Sequence, residues 1–182
     1  PIKVAVLDTY FCPKLITHSK NIKILEVIDN SNTHSTDSCS SFSKTNRLFH
    51  GQWVLENLVN NLSSSVEIII QPISVFSSSG FQSKNSWKEA FKDSSNYDLY
   101  VLAVGSKDFS LSKFTTPIIV ASSTYGKGIN KKSNLWPQSA YKDLNIVTIG
   151  SYLEKDEDLG TREDFNIIHK DRVEYYFSEG LA

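Results

Sequence analysis

An aspartate and a histidine are the two residues of this sequence best suited to joint acid–base chemistry. Asp8 directly follows the continuous apolar run Ile2–Leu7, which is typical of a strand covered on both faces. His50 opens a segment whose apolar residues recur at helical spacing, and Gly51 follows it directly. An imidazole can take up and release a proton, and a carboxylate can fix its tautomer and stabilise its charged form. We therefore expect an Asp8 carboxylate oxygen to lie ~2.6–3.2 Å from a His50 ring nitrogen.

Strand and helix patterns alternate along the chain and must position these two residues. Apolar runs predict strands over the following segments: Ile2–Leu7, Asn21–Ile28, Val66–Phe76 with a break near Pro72, Tyr97–Val104, Pro117–Ala121, Asn145–Tyr152 and Val173–Phe177. Helical spacing predicts a helix that begins at His50 and a short one over Trp87–Phe91. The Ser/Thr/Asn-rich stretch 30–46 is predicted to be a surface loop.

This alternation indicates an α/β fold: a three-layer, doubly wound, mostly parallel sheet with helices on both faces. No internal repeat or linker interrupts the pattern, so we expect a single domain over residues 1–182. In such sheets the chemistry collects beyond the carboxyl ends of the strands, where Asp8 would lie. The core should bury five apolar residues on the faces of the His50 helix and the central strands: Val54, Leu58, Val101, Val120 and Ile149.

Composition excludes several other classes of protein. The 182 residues carry a net charge of −1 without a basic tract, which argues against nucleic acid as a partner. No apolar run approaches the ~18 residues that span a membrane, and no signal peptide is present, so we expect a soluble chain of unknown compartment. Cys12 and Cys39 lack metal-ligand spacing and are expected to be free thiols, with a single disulfide as the alternative. No cofactor or metal site is predicted.

Six segments, taken in order, resemble the subtilisin-like serine protease family over nearly the whole chain. Val4–Thr9 is similar to the family's strand ending Asp-Ser/Thr-Gly, with Tyr10 replacing the glycine. His50-Gly51-Gln52-Trp53-Val54 is similar to His-Gly-Thr-x-Val, with Gln52 replacing threonine. Four further segments follow in the family's order: Tyr97–Gly105, Pro117–Gly126, Leu135–Pro137 and Ile146–Gly150.

The resemblance implies a serine endopeptidase that works by acyl transfer on a peptide or protein substrate. Asp8 would orient His50, and His50 would act as general base and then general acid. The resemblance also implies residues that pair with the substrate backbone, Val104, Gly105 and Ser106, and an opposite pocket wall, Ala121, Ser122 and Ser123. Calcium is frequent in the family, but no loop of this sequence shows a ligand pattern for it.

The oxyanion site departs from the family, which usually uses an asparagine amide there. An ungapped reading puts Tyr125 at that position and Thr124 just before it, and neither carries an amide. Losing one such donor typically costs about 3–4 kcal/mol of transition-state stabilisation. A hydroxyl of Thr124 or Tyr125 is the candidate replacement.

The nucleophile departs further, because nothing in the chain matches the family's Gly-Thr-Ser-x-Ala segment. Ser178 is the one serine near the expected place, and it reads as a polar residue at a strand end. In the family a strand like Val173–Phe177 shortly precedes the missing segment. We therefore expect the catalytic serine on a segment outside this chain, and a second chain carrying it as a candidate partner.

Three functions remain open at this point. The chain belongs to a serine endopeptidase whose serine lies elsewhere, in which case these residues alone are inactive. Alternatively, it is a catalytically dead pseudo-protease that binds peptides or proteins. A third possibility is an unrelated doubly wound domain that uses Asp8 with a metal or phosphate. That domain would want a glycine-rich loop or a second acidic residue beside Asp8, and the sequence has neither.

Overall fold

A computed structural model gives the fold and describes residues 1–33, 36–43, 46–62, 65–121, 135–140, 145–152 and 173–178. The chain divides into two compact units, Pro1–Ala103 and Val104–Ala182. The α-helices of the described part are α1, His50–Asn61, and α2, Lys84–Ala90. None of the helices in these ranges has the length and apolar character that a bilayer crossing requires.

The first unit is built on a parallel sheet in the order β2-β4-β1-β5, with β3 also pairing with β4. Its strands are β1, Ile2–Asp8; β2, Ile22–Ile24; β3, Ile28–Asp29; β4, Ile68–Ser74; and β5, Leu99–Leu102. Strand β1 lies at the centre and is fully buried from Val6 to Asp8. The sheet thus holds the last residue of β1, Asp8, on rigid and dry backbone.

Helices cover both faces of this sheet. On one face α1 packs its Leu55 and Val59 against apolar residues of the strands, including Val4 and Ile70. On the other face Tyr100 of β5 stacks on a ring just after α2 and donates its hydroxyl to the Ala90 carbonyl at 3.1 Å. Neighbouring residues of a strand point to opposite faces of the sheet, so β5 presents side chains to both helices. The predicted α/β class with a mostly parallel sheet and helices on both faces is confirmed.

Strand β4 differs from the prediction, because it continues through Pro72 instead of breaking there. Pro72 pairs in register with Val6 of β1. On the other side of β4, β2 pairs as far as Ile70 and β3 begins opposite Ile73. Carbonyls of Ile70 and Ser74 accept hydrogen bonds on that side, so the missing N–H of Pro72 points into the gap between the two short strands. The proline therefore removes no ladder bond, and the predicted strand Asn21–Ile28 is split opposite it.

The second unit has a parallel sheet in the order β6-β7-β8. These strands are β6, Ile118–Ala121; β7, Ile146–Tyr152; and β8, Val173–Ser178. Ahead of β6, the backbone of Ser106 pairs antiparallel with Trp136, which precedes a cis peptide bond to Pro137. Ser178 ends β8, as the sequence predicted for a strand-end residue.

The predicted core was correct for one of its five residues. Val120 is fully buried, whereas Val54, Leu58, Val101 and Ile149 are only half-buried. On α1 the face turned to the sheet carries Leu55 and Val59, and Val54 and Leu58 flank it. The stretch 30–46 is also more regular than predicted, since a 3₁₀ segment runs over Thr36–Ser41.

Candidate active site

Asp8 and His50 are in direct contact. The Asp8 Oδ1 atom lies 2.8 Å from His50 Nδ1, which confirms the distance expected from the sequence. Asp8 is fully buried, while 41% of the His50 side chain is exposed. Within the described ranges the other ring nitrogen, Nε2, makes no hydrogen bond. The ring is therefore held at one nitrogen and open at the other.

The close approach of β1 and α1 depends on Gly51. A Cβ atom at this position would lie 2.9 Å from the Asp8 Cβ and 2.9 Å from the ring of Phe11. The Gly51 N–H, one of the unpaired donors of the first turn, donates to Thr9 Oγ1 at 2.8 Å. Helix α1 has no side-chain cap of its own at Phe49, so Thr9 supplies this bond from the loop after β1. Position 51 therefore requires glycine, because there is no space for a Cβ atom between α1, Asp8 and Phe11.

Gln52 binds the same loop from the second residue after His50. Its Oε1 accepts the Cys12 N–H at 2.7 Å, and its Nε2 donates to Glu56 Oε1 at 3.0 Å. The side chain is fully buried, and both ends of its amide are satisfied. Gln52 thus joins α1 to the backbone that follows Asp8 through a hydrogen bond.

A disulfide joins Cys12 to Cys39, so the prediction of free thiols was wrong. The two Cα atoms are 5.7 Å apart. Cys12 is buried beside Tyr10 and Phe49, the residue immediately before His50. The folded loop 36–41 brings Cys39 to this cluster, which a reading of 30–46 as an unstructured surface loop could not show.

The electrostatics of the pair favour a protonated imidazole. The hydrogen bond from His50 to Asp8 raises the pKa of His50 above its ordinary value of 6.5, and the negative charge of Asp8 acts in the same direction. Partial burial of the ring opposes this shift. The arrangement stabilises the charged form that a general base adopts after accepting a proton.

The Asp8 carboxylate is not fully satisfied by the described residues. Its Oδ1 also accepts the Thr9 N–H at 2.6 Å, but Oδ2 is buried and has no partner in those ranges. No cluster of three or more potential metal ligands occurs in the described part of the chain. The hydrogen-bond partners of the carboxylate among the described residues are His50 and Thr9, both at Oδ1.

The other predicted site residues fall into two groups. Ser122, Ser123, Thr124 and Tyr125 lie outside the described residues, so the pocket wall beyond Ala121 and the oxyanion candidates stay predictions. Val104, Gly105, Ser106 and Ala121 are described, and all four belong to the second unit.

The pairing of Ser106 with a substrate stays a prediction, and its backbone groups have partners within the chain. Its N–H donates to the Trp136 carbonyl at 2.9 Å, and its carbonyl accepts the Trp136 N–H at 2.8 Å. Both backbone groups are therefore already used within the chain. The Val104 and Ala121 carbonyls are also engaged, because both accept from Nε2 of Gln138, at 3.4 and 3.1 Å. Sequence reasoning missed Gln138, and no pattern in the sequence marks it.

Comparisons with known proteins support the fold. The chain matches no family model and no curated protein. Among solved structures it is similar to a psychrophilic subtilisin-like protease, Apa1, from the Antarctic psychrotroph Pseudoalteromonas sp. AS-11, with a TM-score of 0.57 and 16% sequence identity. The similarity covers 97% of this chain and 41% of that protease. The chain therefore shares an α/β fold with this protease and spans about two-fifths of that protein's length.

Proposed function

We propose that Asp8 and His50 are the acid–base pair of a subtilisin-like serine endopeptidase. The observation that carries the proposal is the 2.8 Å contact between a fully buried strand-end carboxylate and a partly exposed histidine. The likeness in fold to a subtilisin-like protease supports it. The catalytic serine would lie on a segment outside residues 1–182, because the chain has no Gly-Thr-Ser-x-Ala sequence.

The proposed mechanism uses the two nitrogens of His50 differently. Nδ1 donates to Asp8, which fixes the tautomer and leaves Nε2 as the base. Nε2 takes the proton of the serine hydroxyl as its oxygen bonds to the carbonyl carbon of the peptide. The imidazolium then gives that proton to the amine that leaves when the C–N bond breaks. Water, activated by the same nitrogen, releases the acyl group and restores the serine.

Substrate binding would involve the second unit. Val104, Gly105, Ala121, Ser122 and Ser123 are the proposed contacts to a peptide or protein substrate, with a hydroxyl of Thr124 or Tyr125 facing the oxyanion. The Ser106 N–H would be free to pair with a substrate only if its bond to Trp136 opened, whereas the Ser106 carbonyl has a second lone pair.

A second candidate function is a pseudo-protease that binds peptides without cleaving them. It is favoured by two departures from the family's pattern: the sequence has no Gly-Thr-Ser-x-Ala segment, and Tyr125 stands where an oxyanion asparagine is expected. A site kept for binding alone does not need a serine or an oxyanion amide.

Labelling with a biotinylated fluorophosphonate tests the proposal on the protein as its cells make it. The probe reacts with activated serines, and mass spectrometry locates the adduct. We expect an adduct on a serine outside residues 1–182, carried by the protein or complex that contains these residues. His50→Ala should abolish it, whereas His18→Ala, at an exposed histidine, should not.

Three results would count against the proposal. An adduct on a serine within residues 1–182 would contradict the location of the nucleophile. Persistent labelling of the His50→Ala variant would contradict the role of this histidine. Absence of any adduct on a folded protein would favour the binding module.

A further inference from the structure

Gln138 joins two segments of the second unit that are proposed to flank a substrate side chain. It follows the Trp136–Pro137 pair, and only 2% of its surface is exposed. Its Nε2 donates to the Ala121 carbonyl at 3.1 Å and to the Val104 carbonyl at 3.4 Å. Ala121 is the last residue of β6, and ligands of open α/β sheets bind beyond such strand ends. The amide therefore lies where a ligand would be expected.

The amide also fills the space next to Gly105. A Cβ atom at Gly105 would lie 2.5 Å from Gln138 Oε1 and 2.9 Å from the Leu135 Cβ. Interior side chains pack at crystal-like density, so a group that already meets its neighbours this closely leaves no room for a large one beside it. The space that Gln138 occupies is not available to another side chain unless the amide moves.

The oxygen of this amide is not satisfied in the described part of the chain. Oε1 is buried and makes no hydrogen bond with the residues described. Leaving a buried acceptor unpaired is unfavourable, and such a group in a folded protein calls for an explanation. The Nε2 atom is explained by its hydrogen bonds to the Val104 and Ala121 carbonyls, whereas no contact of the described residues explains the position of Oε1.

We propose that Gln138 selects substrates whose residue before the scissile bond is small: glycine, alanine or serine. This inference rests on the proposed function. A large side chain would have to displace the amide, and thereby break its two hydrogen bonds to Val104 and Ala121. A small side chain leaves the amide in place. The effect is steric, and it predicts that shortening residue 138 relaxes the preference.

Peptide binding to the full 182-residue chain tests this without requiring a serine. Two fluorescein-labelled tetrapeptides are compared by fluorescence anisotropy, one of four alanines and one ending in phenylalanine. We expect the wild type to bind the alanine peptide at least ~10-fold more tightly, the order that one misfitting group costs in a pocket. Gln138→Ala should reduce that ratio to about 1 by improving binding of the phenylalanine peptide.

Gln138→Leu is the matched control, since leucine keeps a side chain of similar volume but cannot make the hydrogen bonds. It should keep the preference for alanine, which separates a steric effect from a loss of polar contacts. Circular dichroism checks that each variant is folded, and the wild-type ratio tests the inference even if Gln138→Ala unfolds.

The outcomes separate the inference from the proposed function. Equal binding of both peptides by the wild type, or an unchanged preference in folded Gln138→Ala, would overturn the inference alone, because fluorophosphonate labelling tests the serine peptidase independently. Failure of the wild type to bind either peptide would overturn the inference and remove the peptide-binding role of the second unit as well.

Discussion

At the scale of single residues, Asp8 and His50 differ in burial, and this difference suits them to different roles. Asp8 is inaccessible and can act only on its neighbours, whereas His50 exposes part of its ring. A general base must reach a substrate or a nucleophile, and an orienting carboxylate must not. The asymmetry matches the roles proposed for the two residues, and Thr9 supports it by binding both Asp8 and the first turn of α1.

Gly51 gives a prediction at this scale. Replacing glycine by alanine inside a helix normally stabilises it by about 0.5–1 kcal/mol. Here the added methyl would meet the Asp8 Cβ and the Phe11 ring at 2.9 Å. We therefore expect Gly51→Ala to lower the free energy of unfolding by ~1–3 kcal/mol, as overpacking does. Urea unfolding measures the change.

Asn60→Ala is the control, because Asn60 lies exposed on the same helix. It should gain a few tenths of a kcal/mol from helix propensity alone. A Gly51→Ala variant as stable as Asn60→Ala would mean that α1 does not approach Asp8 as closely as the structure places it.

At the scale of secondary-structure elements, two sets of contacts hold α1 in place: those of its apolar face and the polar contacts of its first turn. Leu55 and Val59 pack against the sheet, and Gly51 and Gln52 bind the loop after β1. These two sets of contacts fix both the distance and the rotation of the helix. The position of the His50 ring therefore depends on packing a full turn away from it.

Leu55→Ala tests this packing. The side chain is fully buried, so its truncation should cost ~2–5 kcal/mol through lost burial and a cavity. Leu58→Ala should cost clearly less, since Leu58 is only half-buried at the margin of the same cluster. Denaturant unfolding compares the two variants, and an equal or larger loss for Leu58→Ala would show that α1 is rotated from the orientation described.

The elements around the pair could be predicted from local patterns, but the way these elements pack against one another could not. The apolar run before Asp8 and the helical spacing after His50 are properties of neighbouring residues, and both elements form as predicted. The orientation of α1 depends on which turn meets the sheet, and periodicity alone could not choose Leu55 over Leu58. Pro72 was read as a break because its effect depends on a gap between two other strands.

The contacts of the site that could not be predicted from the sequence also join residues that are distant in sequence. Cys12 and Cys39 carry no spacing signal, and only the folded loop brings them together. Gln52 and Gln138 look like ordinary polar residues until their buried partners are known. The Asp8–His50 contact was predictable because a known family supplies its order and local context.

The disulfide acts at the scale of the whole molecule, because it restricts the unfolded chain. It closes a loop with a sequence separation of 27 residues. We expect the double substitution Cys12→Ser, Cys39→Ser to lower the free energy of unfolding by about 3–4 kcal/mol on the chain-entropy estimate. Chemical unfolding checks this, and the wild type unfolded in a reducing dithiol should match the double variant.

Thiol titration of the protein, unfolded without a reductant, could contradict the disulfide. Two thiols that react in the oxidised, unfolded chain would show that Cys12 and Cys39 are not bonded. A loss of stability below about 1 kcal/mol would show that the bond does little to restrict the unfolded state.

The dependence of stability on pH follows from the pair. Asp8 raises the pKa of His50 in the folded state, so folding favours the protonated ring. This contribution to stability is fully present below the unfolded-state pKa of about 6.5 and is lost as the pH rises through the folded-state value. Removing the charge of Asp8 should therefore weaken this part of the pH dependence.

NMR titration of the His50 ring, in the wild type and in Asp8→Asn, tests the pairing most directly. We expect the His50 pKa of the wild type to lie above 6.5 and to fall in Asp8→Asn. Asparagine keeps the shape of the side chain and removes its charge, so the fall would report the interaction itself. A His50 pKa that does not change on substitution of Asp8 would contradict the acid–base pair on which the proposed function depends.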